Sequence, residues 1–479
     1  MSSRAKAVSG IIWTFVDSLI LKGLPLIAMI ILNRLLSKED FGVSAIMIVF
    51  INLGTTFVES GLANSLIRTK DADDRDYSSV FWINILVGLG FYFLLYFTFP
   101  YIVTYFDQPI PVEVLRWSSL GIIFASFSTV QTAILSAQMQ FRKLMLSNIS
   151  GAVLSPVIGV LMAYQGYGIW SLVAMSLITP FMQTFSLWIA SSWRPLFVID
   201  LAKAKKHFHF GYKLLLSSLL DTIYTNIYTL IIGKRYDFSE LGVYDRARKI
   251  NDLPSSVLTT IVTKVTYPLL ANIQDNKEEV SNAYRQILRM ALYITAPVML
   301  GLSVLAHPLI LLLASEKFID AVPYFQIICL ASMLYPIHSI NLNILKVYGK
   351  TDLFLKLEVV KKILATVCIL VSFPFGIIGL LWSVVATSVL SLLVNTYFSK
   401  ELIGYSTKQQ LLEMIPTLLT AGAMYAAMKL TSQFIQQYPL ILQIFVNFTI
   451  GFLFYFILSY IFKLKPFIFL VKIIKSYRP

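Results

Sequence analysis

The chain has 479 residues, of which 57% are hydrophobic and only 13% charged. Soluble globules carry about 25% charged residues, so this chain has too little polar surface to cover itself in water, and a string of soluble domains is excluded. A formal net charge of +14 would point a soluble protein towards nucleic acid. Here the basic residues sit mostly in short loops, so membrane topology accounts for them and no nucleic-acid partner is expected.

From the N-terminus, the first ten residues lead into an apolar stretch that carries Asp17 and Lys22 and runs past Leu32. It is too long and too charged for a cleaved signal sequence, which predicts a retained first span. Mostly apolar runs of 18 or more residues predict fourteen spans, near 9–34, 42–67, 79–101, 112–137, 147–165, 168–192, 211–233, 240–270, 284–306, 321–345, 353–373, 375–399, 411–430 and 440–462. The expected fold is therefore an all-α polytopic membrane protein. With the N-terminus inside, the inner tails and loops hold 23 Lys and Arg, and the outer loops hold six: Arg34, Lys38, Lys234, Arg235, Lys317 and Lys429. That bias predicts an even number of spans with both termini cytoplasmic. No loop is long enough for a soluble catalytic domain, so an enzyme is not expected. The tail KLKPFIFLVKIIKSYRP alternates basic and apolar residues, as a segment lying on an anionic inner surface does.

The chain repeats itself. Asp40-Phe41-Gly42-Val43 precedes span 2, and Glu240-Leu241-Gly242-Val243 precedes span 8, at an offset of 200 residues. Tyr167-Gly168-Ile169 opens span 6 and Phe375-Gly376-Ile377 opens span 12. An even number of spans separates the copies, so the halves share one orientation, as two parallel six-helix repeats about an axis along the membrane normal. The expected division is 1–200, 201–402, two further spans over 403–462, and a basic tail over 463–479.

Charge inside a bilayer is costly, so its position is informative. In span 8, Asp245, Arg248, Lys249 and Asp252 share one helix face. Ser256, Thr259, Thr260 and Thr263 continue it, with Arg246 beside it and Lys264 near the inner end. Asp245 with Lys249, Asp17 with Lys22, and Glu358 with Lys362 could be paired charges that fix packing; the length of the stripe favours a face on water. Span 2 carries Asn52, Thr55, Thr56 and Glu59. At the same offset Asn52 matches Asp252 and Thr56 matches Ser256, which suits two lobes facing one cavity. Span 7 adds Ser218, Asp221, Thr222, Thr225, Asn226 and Thr229, and Arg116 sits just inside the outer end of span 4. Cys329 and Cys368 fall in apolar segments and read as packing residues. The four histidines lack metal-ligand spacing, so no metal is expected.

The run Leu241-Gly242-Val243-Tyr244-Asp245-Arg246-Ala247, followed by Pro254 and Pro268, resembles the polysaccharide-transporter branch of the multidrug/oligosaccharidyl-lipid/polysaccharide flippases. So do Asp40-Phe41-Gly42 and Gly166-Tyr167-Gly168-Ile169-Trp170-Ser171-Leu172. The likeness is to Wzx-type exporters of the colanic-acid kind and covers the full length. It implies a V-shaped pair of six-helix lobes, alternating access, a bacterial inner membrane and a lipid-linked oligosaccharide as cargo. Other polysaccharide-assembly proteins would hand that cargo over.

A polyprenyl-diphosphate-linked glycan has an anionic headgroup bearing polar sugars. Arg246, Arg248 and Lys249, assisted by Lys22, Arg116 and Lys264, could hold the diphosphate through charge-assisted hydrogen bonds. Asp245, Asp252, Ser256, Thr259, Thr260, Thr263, Asn52, Thr55 and Thr56 would line the cavity for the sugars. Gly349-Lys350-Thr351 lacks the upstream glycine of a phosphate loop, so no nucleotide cofactor is expected. An H⁺ or Na⁺ gradient would drive transport, with Asp17, Glu59 and Asp221 as candidate carriers. A multidrug exporter is the nearest rival. Between 245 and 264 four basic residues face two acidic ones, which favours an anionic cargo. A membrane glycan polymerase or ligase would need larger outer loops with acid/base residues.

Overall fold

The structure, a computed structural model, describes residues 23–59, 61–69 and 71–476. The N-terminal part of the first expected span, with Asp17 and Lys22, lies outside the described residues. Helices account for most of the described chain, and there is no strand among the described residues. In the first part these are α1 (Gly23–Leu35), α2 (Lys38–Glu59), α3 (Leu62–Arg68), α4 (Asp74–Phe106), α5 (Val112–Ala137), α6 (Phe141–Tyr164), α7 (Ile169–Ala190), α8 (Leu201–Arg235) and α9 (Phe238–Asn272). Then come α10 (Lys277–Val304), α11 (Ala306–Leu313), α12 (Ala321–Ser332), α13 (Tyr335–Val347), α14 (Thr351–Ser372), α15 (Gly376–Thr396), α16 (Ser399–Ile403), α17 (Thr407–Phe434), α18 (Leu440–Ile461) and α19 (Lys465–Ser476).

Local chemistry sets the helix starts. Ser37 and Asp40 close a box ahead of α2: the Ser37 amide donates to Asp40 Oδ2 at 3.0 Å and the Asp40 amide to Ser37 Oγ at 3.1 Å. Asp73 and Asp76 do the same at α4, Asp200 caps α8, Asn276 caps α10 and Ser406 with Gln409 caps α17. The α4 box and the left-handed Asp107 at its far end (φ 56°) extend that helix beyond the 79–101 read from hydropathy. Gly168 (φ +53°) and Gly376 (φ +74°) open α7 and α15. The second sequence echo therefore marks two places where the chain needs a left-handed turn.

Among the described residues, eleven stretches are helical, long and apolar enough to cross a bilayer, and the chain is a multi-pass membrane protein. One of the eleven, Asp352–Thr396, holds both α14 and α15. α9 is an unbroken helix of 35 residues that carries the charged stripe.

Packing divides the chain into two compact units, Met1–Asp245 and Arg246–Pro479. In the first, α5 packs against α2, α3, α4 and α7, and α6 against α7. Leu62, Leu66, Val80, Phe81, Ile85, Val130 and Ile134 form a core between α3, α4 and α5. The sequence repeat divides the chain at 200, whereas the packing divides it after Asp245. The difference is α8, which lies along α2, α3 and α4.

In the second unit α10 is central, packing against α12, α13 and α17. Its residues Val280, Tyr284, Leu288, Leu292 and Ala296 follow helical spacing into a core with Ile337, Ile340, Ile344, Met414, Ala421 and Met424. Arg289 ties α10 to α17 through Glu413 at 2.7 Å, and the buried Tyr405 hydroxyl donates to the same carboxylate. Cys329 and Cys368 are free thiols. Glu358 pairs with Lys361 at 2.6 Å.

Candidate functional site

The α9 stripe has two ends of different character. Asp245 and Arg246 are buried, at 8% and 3% exposure. Arg248 and Lys249 are half-buried and Asp252 is exposed. Arg248 Nε lies 3.7 Å from Asp252 Oδ2, one turn on. Asn251 fixes the opposite face: it is fully buried, and its Oδ1 accepts from Ser332 Oγ on α12 at 3.0 Å. Below Asp252, Ser256 Oγ donates to the Leu253 carbonyl at 3.2 Å and Thr259 Oγ1 to that of Ser255 at 2.8 Å. These hydroxyl protons are used within the helix. Thr260 is exposed, and Thr263 and Lys264 lie further along α9. Among the described side chains of the stripe, Arg246 is buried and Arg248 and Lys249 are half-buried.

The first unit has its own polar face. Thr56 Oγ1 is 3.0 Å from Thr222 Oγ1 on α8 and donates to the Asn52 carbonyl at 2.7 Å. Thr222 donates to the Ser218 carbonyl at 2.9 Å, and Asn226 Nδ2 to that of Thr222 at 2.8 Å. Asn52, Glu59, Asp221 and Thr225 are exposed around this seam, with Thr55 half-buried. Within this unit the polar face of α2 meets α8, and the ion-carrier candidates Glu59 and Asp221 both lie on the seam helices. Arg116 sits elsewhere: it pairs with Glu113 at 2.9 Å, donates to the Tyr96 carbonyl at 3.3 Å, and covers the Tyr96 ring at 4.0 Å. Its charge joins α5 to α4.

The motif residues converge at one end of this unit. A Cβ on Gly42 would stand 2.0 Å from the Phe238 carbonyl oxygen, and one on Gly242 would stand 2.0 Å from that of Lys38 and 3.2 Å from the Gly42 nitrogen. A Cβ on Gly168 would lie 3.9 Å from Asp40 Oδ1. The Gly42 and Gly242 motifs therefore form one junction of close backbones, which only glycine permits, and the Gly168 motif lies beside Asp40 in ordinary contact. At the other end Gly61 and Gly211 also cross, with a Cβ on Gly211 falling 2.6 Å from the Gly61 carbonyl carbon.

Beside that crossing lies a network that sequence reasoning missed. His207 is fully buried; its Nδ1 is 2.8 Å from Ser65 Oγ and its Nε2 is 3.1 Å from Asp76 Oδ1. Lys203 Nζ bridges Asp73 Oδ1 at 2.5 Å and Asp76 Oδ2 at 3.0 Å. The Lys203 ammonium and the Asp76 amide hold the Asp73 carboxyl well below the usual carboxylate range. In return Asp73, and then Asp76, push the Lys203 ammonium up. Both aspartates look like ordinary loop charges in the sequence. The spacing of Lys203 and His207 on one face of α8 was the available signal.

Fold and site together define an all-helical, multi-pass membrane protein with polar faces carried on long helices. The polysaccharide biosynthesis protein family matches residues 31–323, and the chain belongs to that family. It is 24% identical over 445 residues to the lipopolysaccharide biosynthesis protein WzxC of Escherichia coli strain K12, covering 90% of this chain and 89% of the relative. It is 26% identical over 309 residues to the succinoglycan biosynthesis transport protein ExoT of Rhizobium meliloti strain 1021, covering 64% and 63% of the two chains. The fold is similar to that of the lipid II flippase MurJ in an inward closed conformation, at a TM-score of 0.76 and 19% identity, covering 95% of this chain and 98% of that one. An inward-facing multidrug resistance MATE family transporter aligns at a TM-score of 0.61 and 16% identity, over 82% of this chain and 98% of that one.

Proposed function

We propose that the protein is a flippase that moves a polyprenyl-diphosphate-linked oligosaccharide from the inner to the outer leaflet of a bacterial inner membrane. The observation that carries this reading is the α9 stripe: Arg248, Lys249, Asp252, Ser256 and Thr259 run along one continuous helix of an otherwise apolar chain. A diphosphate needs cations in a site with little water, where hydrogen bonds to charged groups are strongest. Sugars need hydroxyl partners, and Ser256 and Thr259 lie on the same helix. The names of the relatives, a polysaccharide transport protein and a lipid-linked precursor flippase among them, agree with that chemistry. Fourteen spans with both termini cytoplasmic, in two parallel repeats, remain the topology proposed, and the glycine junction at Gly42 and Gly242 is where the repeats meet. An ion gradient drives the cycle, with Glu59 and Asp221 as carriers.

A deletion strain tests the reading. A complete lipid-linked repeat unit should accumulate on the cytoplasmic leaflet, with loss of the surface glycan. Normal glycan output together with new sensitivity to cationic dyes would transfer the protein to drug export.

A further inference from the structure

The connection from α7 to α8, residues 191–200, is neither helix nor strand, yet it is held in one shape. The Leu196 amide donates to Ser78 Oγ at 2.9 Å, the Asp200 amide to Ser79 Oγ at 2.8 Å, and Trp82 Nε1 to the Leu196 carbonyl at 2.8 Å. Phe197 stacks on Trp82 at 5.3 Å between ring centroids. Arg194 donates to the Trp188, Ser191 and Trp193 carbonyls. The strap is fastened along the first turns of α4, and Lys203 and His207 extend the fastening into α8.

Its outer side is apolar. Leu196 is 46% exposed, Phe197 91%, Val198 43% and Ile199 45%, followed by Leu201 at 77% and Phe208 at 57%. Lys205, Lys206 and His209 are exposed beside them. The first turns of α8 therefore have two faces. Lys203, Ala204 and His207 turn to the protein, and Leu201, Lys205, Lys206 and Phe208 turn away.

Irregular backbone is not tolerated against hydrocarbon, where its polar groups find no partner. A fixed run of large apolar side chains is equally misplaced in water. The level that suits both is the headgroup boundary, where apolar groups reach the acyl chains and lysines remain among phosphates. Lys205 and Lys206 also lie on the side that the positive-inside bias assigns to the cytoplasm.

We propose that residues 196–208 form a docking surface for anionic phospholipid headgroups of the inner leaflet. Phe197, Val198, Ile199, Leu201 and Phe208 enter the acyl boundary, and Lys205 and Lys206 hold phosphates. The occupant is bulk anionic lipid, independent of the cargo. The strap then moors the first unit to the bilayer surface just where the chain passes into α8.

The test uses the full-length protein with Cys329→Ser and Cys368→Ser, and a nitroxide on Phe197→Cys. Collisional access to oxygen and to an aqueous nickel chelate is measured in phosphatidylcholine vesicles and in vesicles with one quarter phosphatidylglycerol. The label should favour oxygen severalfold over the chelate when phosphatidylglycerol is present. Adding Lys205→Ala and Lys206→Ala should return it towards water. Equal chelate access in both vesicles, or depth unchanged by the lysine substitutions, overturns the proposal. Native mass spectrometry of the chain without the label gives a second reading. The lysine double variant should retain fewer phosphatidylglycerol molecules than wild type, and equal retention overturns the proposal as well.

Discussion

Gly42 and Gly242, 200 residues apart, lie backbone to backbone, and each faces the carbonyl of the residue that pairs with its partner's: Phe238 for Gly42 and Lys38 for Gly242. The relationship is symmetric because the sequence motifs are. A methyl at either position would occupy the space of a carbonyl oxygen, so the helices must part. Overpacking of this kind costs about 1–3 kcal/mol. Gly42→Ala and Gly242→Ala should each lower the melting temperature of the purified protein. The double variant should lose less than the sum, since the first substitution has already opened the junction. Full additivity in a double-mutant cycle would separate the two glycines.

The Asp76–His207–Ser65 contacts give a second expectation. His207→Leu removes the partner of Asp76 Oδ1 and of Ser65 Oγ inside the fold. Leaving buried polar groups unpaired costs about 1–3 kcal/mol. The neighbouring His209 is exposed, and His209→Ala should change stability by less than about 0.5 kcal/mol. Thermal melts of the two variants in one neutral detergent decide the point; equal melting temperatures would remove the network from the account of α8 docking.

The Asp73–Lys203 pair predicts a pH profile. The Asp73 carboxyl is held below its ordinary value, so its contribution is full above the unfolded carboxylate range and fades as pH falls through the lowered value. The Lys203 ammonium is raised, so its contribution is full below the ordinary lysine range and fades only above the raised value. Between about pH 5 and pH 9 both groups are charged. The melting-temperature difference between wild type and Lys203→Met should therefore be flat across that window and shrink under stronger acid. A difference that changes within that window would remove the Asp73–Lys203 pair from the account.

Much of this was readable from composition and pattern. Apolar runs located the helices because a bilayer leaves few other options for the backbone, whereas the glycine echoes were legible only as a repeat, and the left-handed backbone at Gly168 and Gly376 emerges from the structure. The stripe on α9 followed from residue spacing, whereas the burial of Arg246 did not, since it depends on neighbours distant in sequence. The repeat also concealed something. It records the kinship of α2 with α9, and says nothing about α8 lying along α2, α3 and α4. The Asp76–His207 contact joins residues 131 apart; the spacing of Lys203 and His207 marks a shared face of α8 but does not name the partner across from it.

Topology can be read out with single cysteines in a chain lacking Cys329 and Cys368. The turn after α4, expected outside from the loop charges, falls at residues 107–111, since the helix continues through Phe99 to Phe106. Gln108→Cys and Glu316→Cys should react with an impermeant maleimide added to intact cells from outside the inner membrane. Lys205→Cys should react only after the membrane is opened. The reverse pattern would invert the orientation taken from the loop charges.

The stripe on α9 gives the functional prediction. Arg248 and Lys249 are half-buried cations of the stripe, whereas Asn251 holds the helix to Ser332. A hydrogen bond to a charged group contributes about 1.5–3 kcal/mol, and each 1.4 kcal/mol is about tenfold in binding. Arg248→Ala with Lys249→Ala should therefore reduce glycan export by about a hundredfold while the protein still accumulates in the membrane. Arg248→Lys should restore part of it, since lysine keeps the charge and loses the planar fork that grips two phosphate oxygens. Asn251→Leu should act differently: it removes a buried contact with Ser332 and should lower the melting temperature as well as the transport rate. If the cation variant loses abundance in step with export, the stripe is a packing device and the diphosphate has to be held elsewhere.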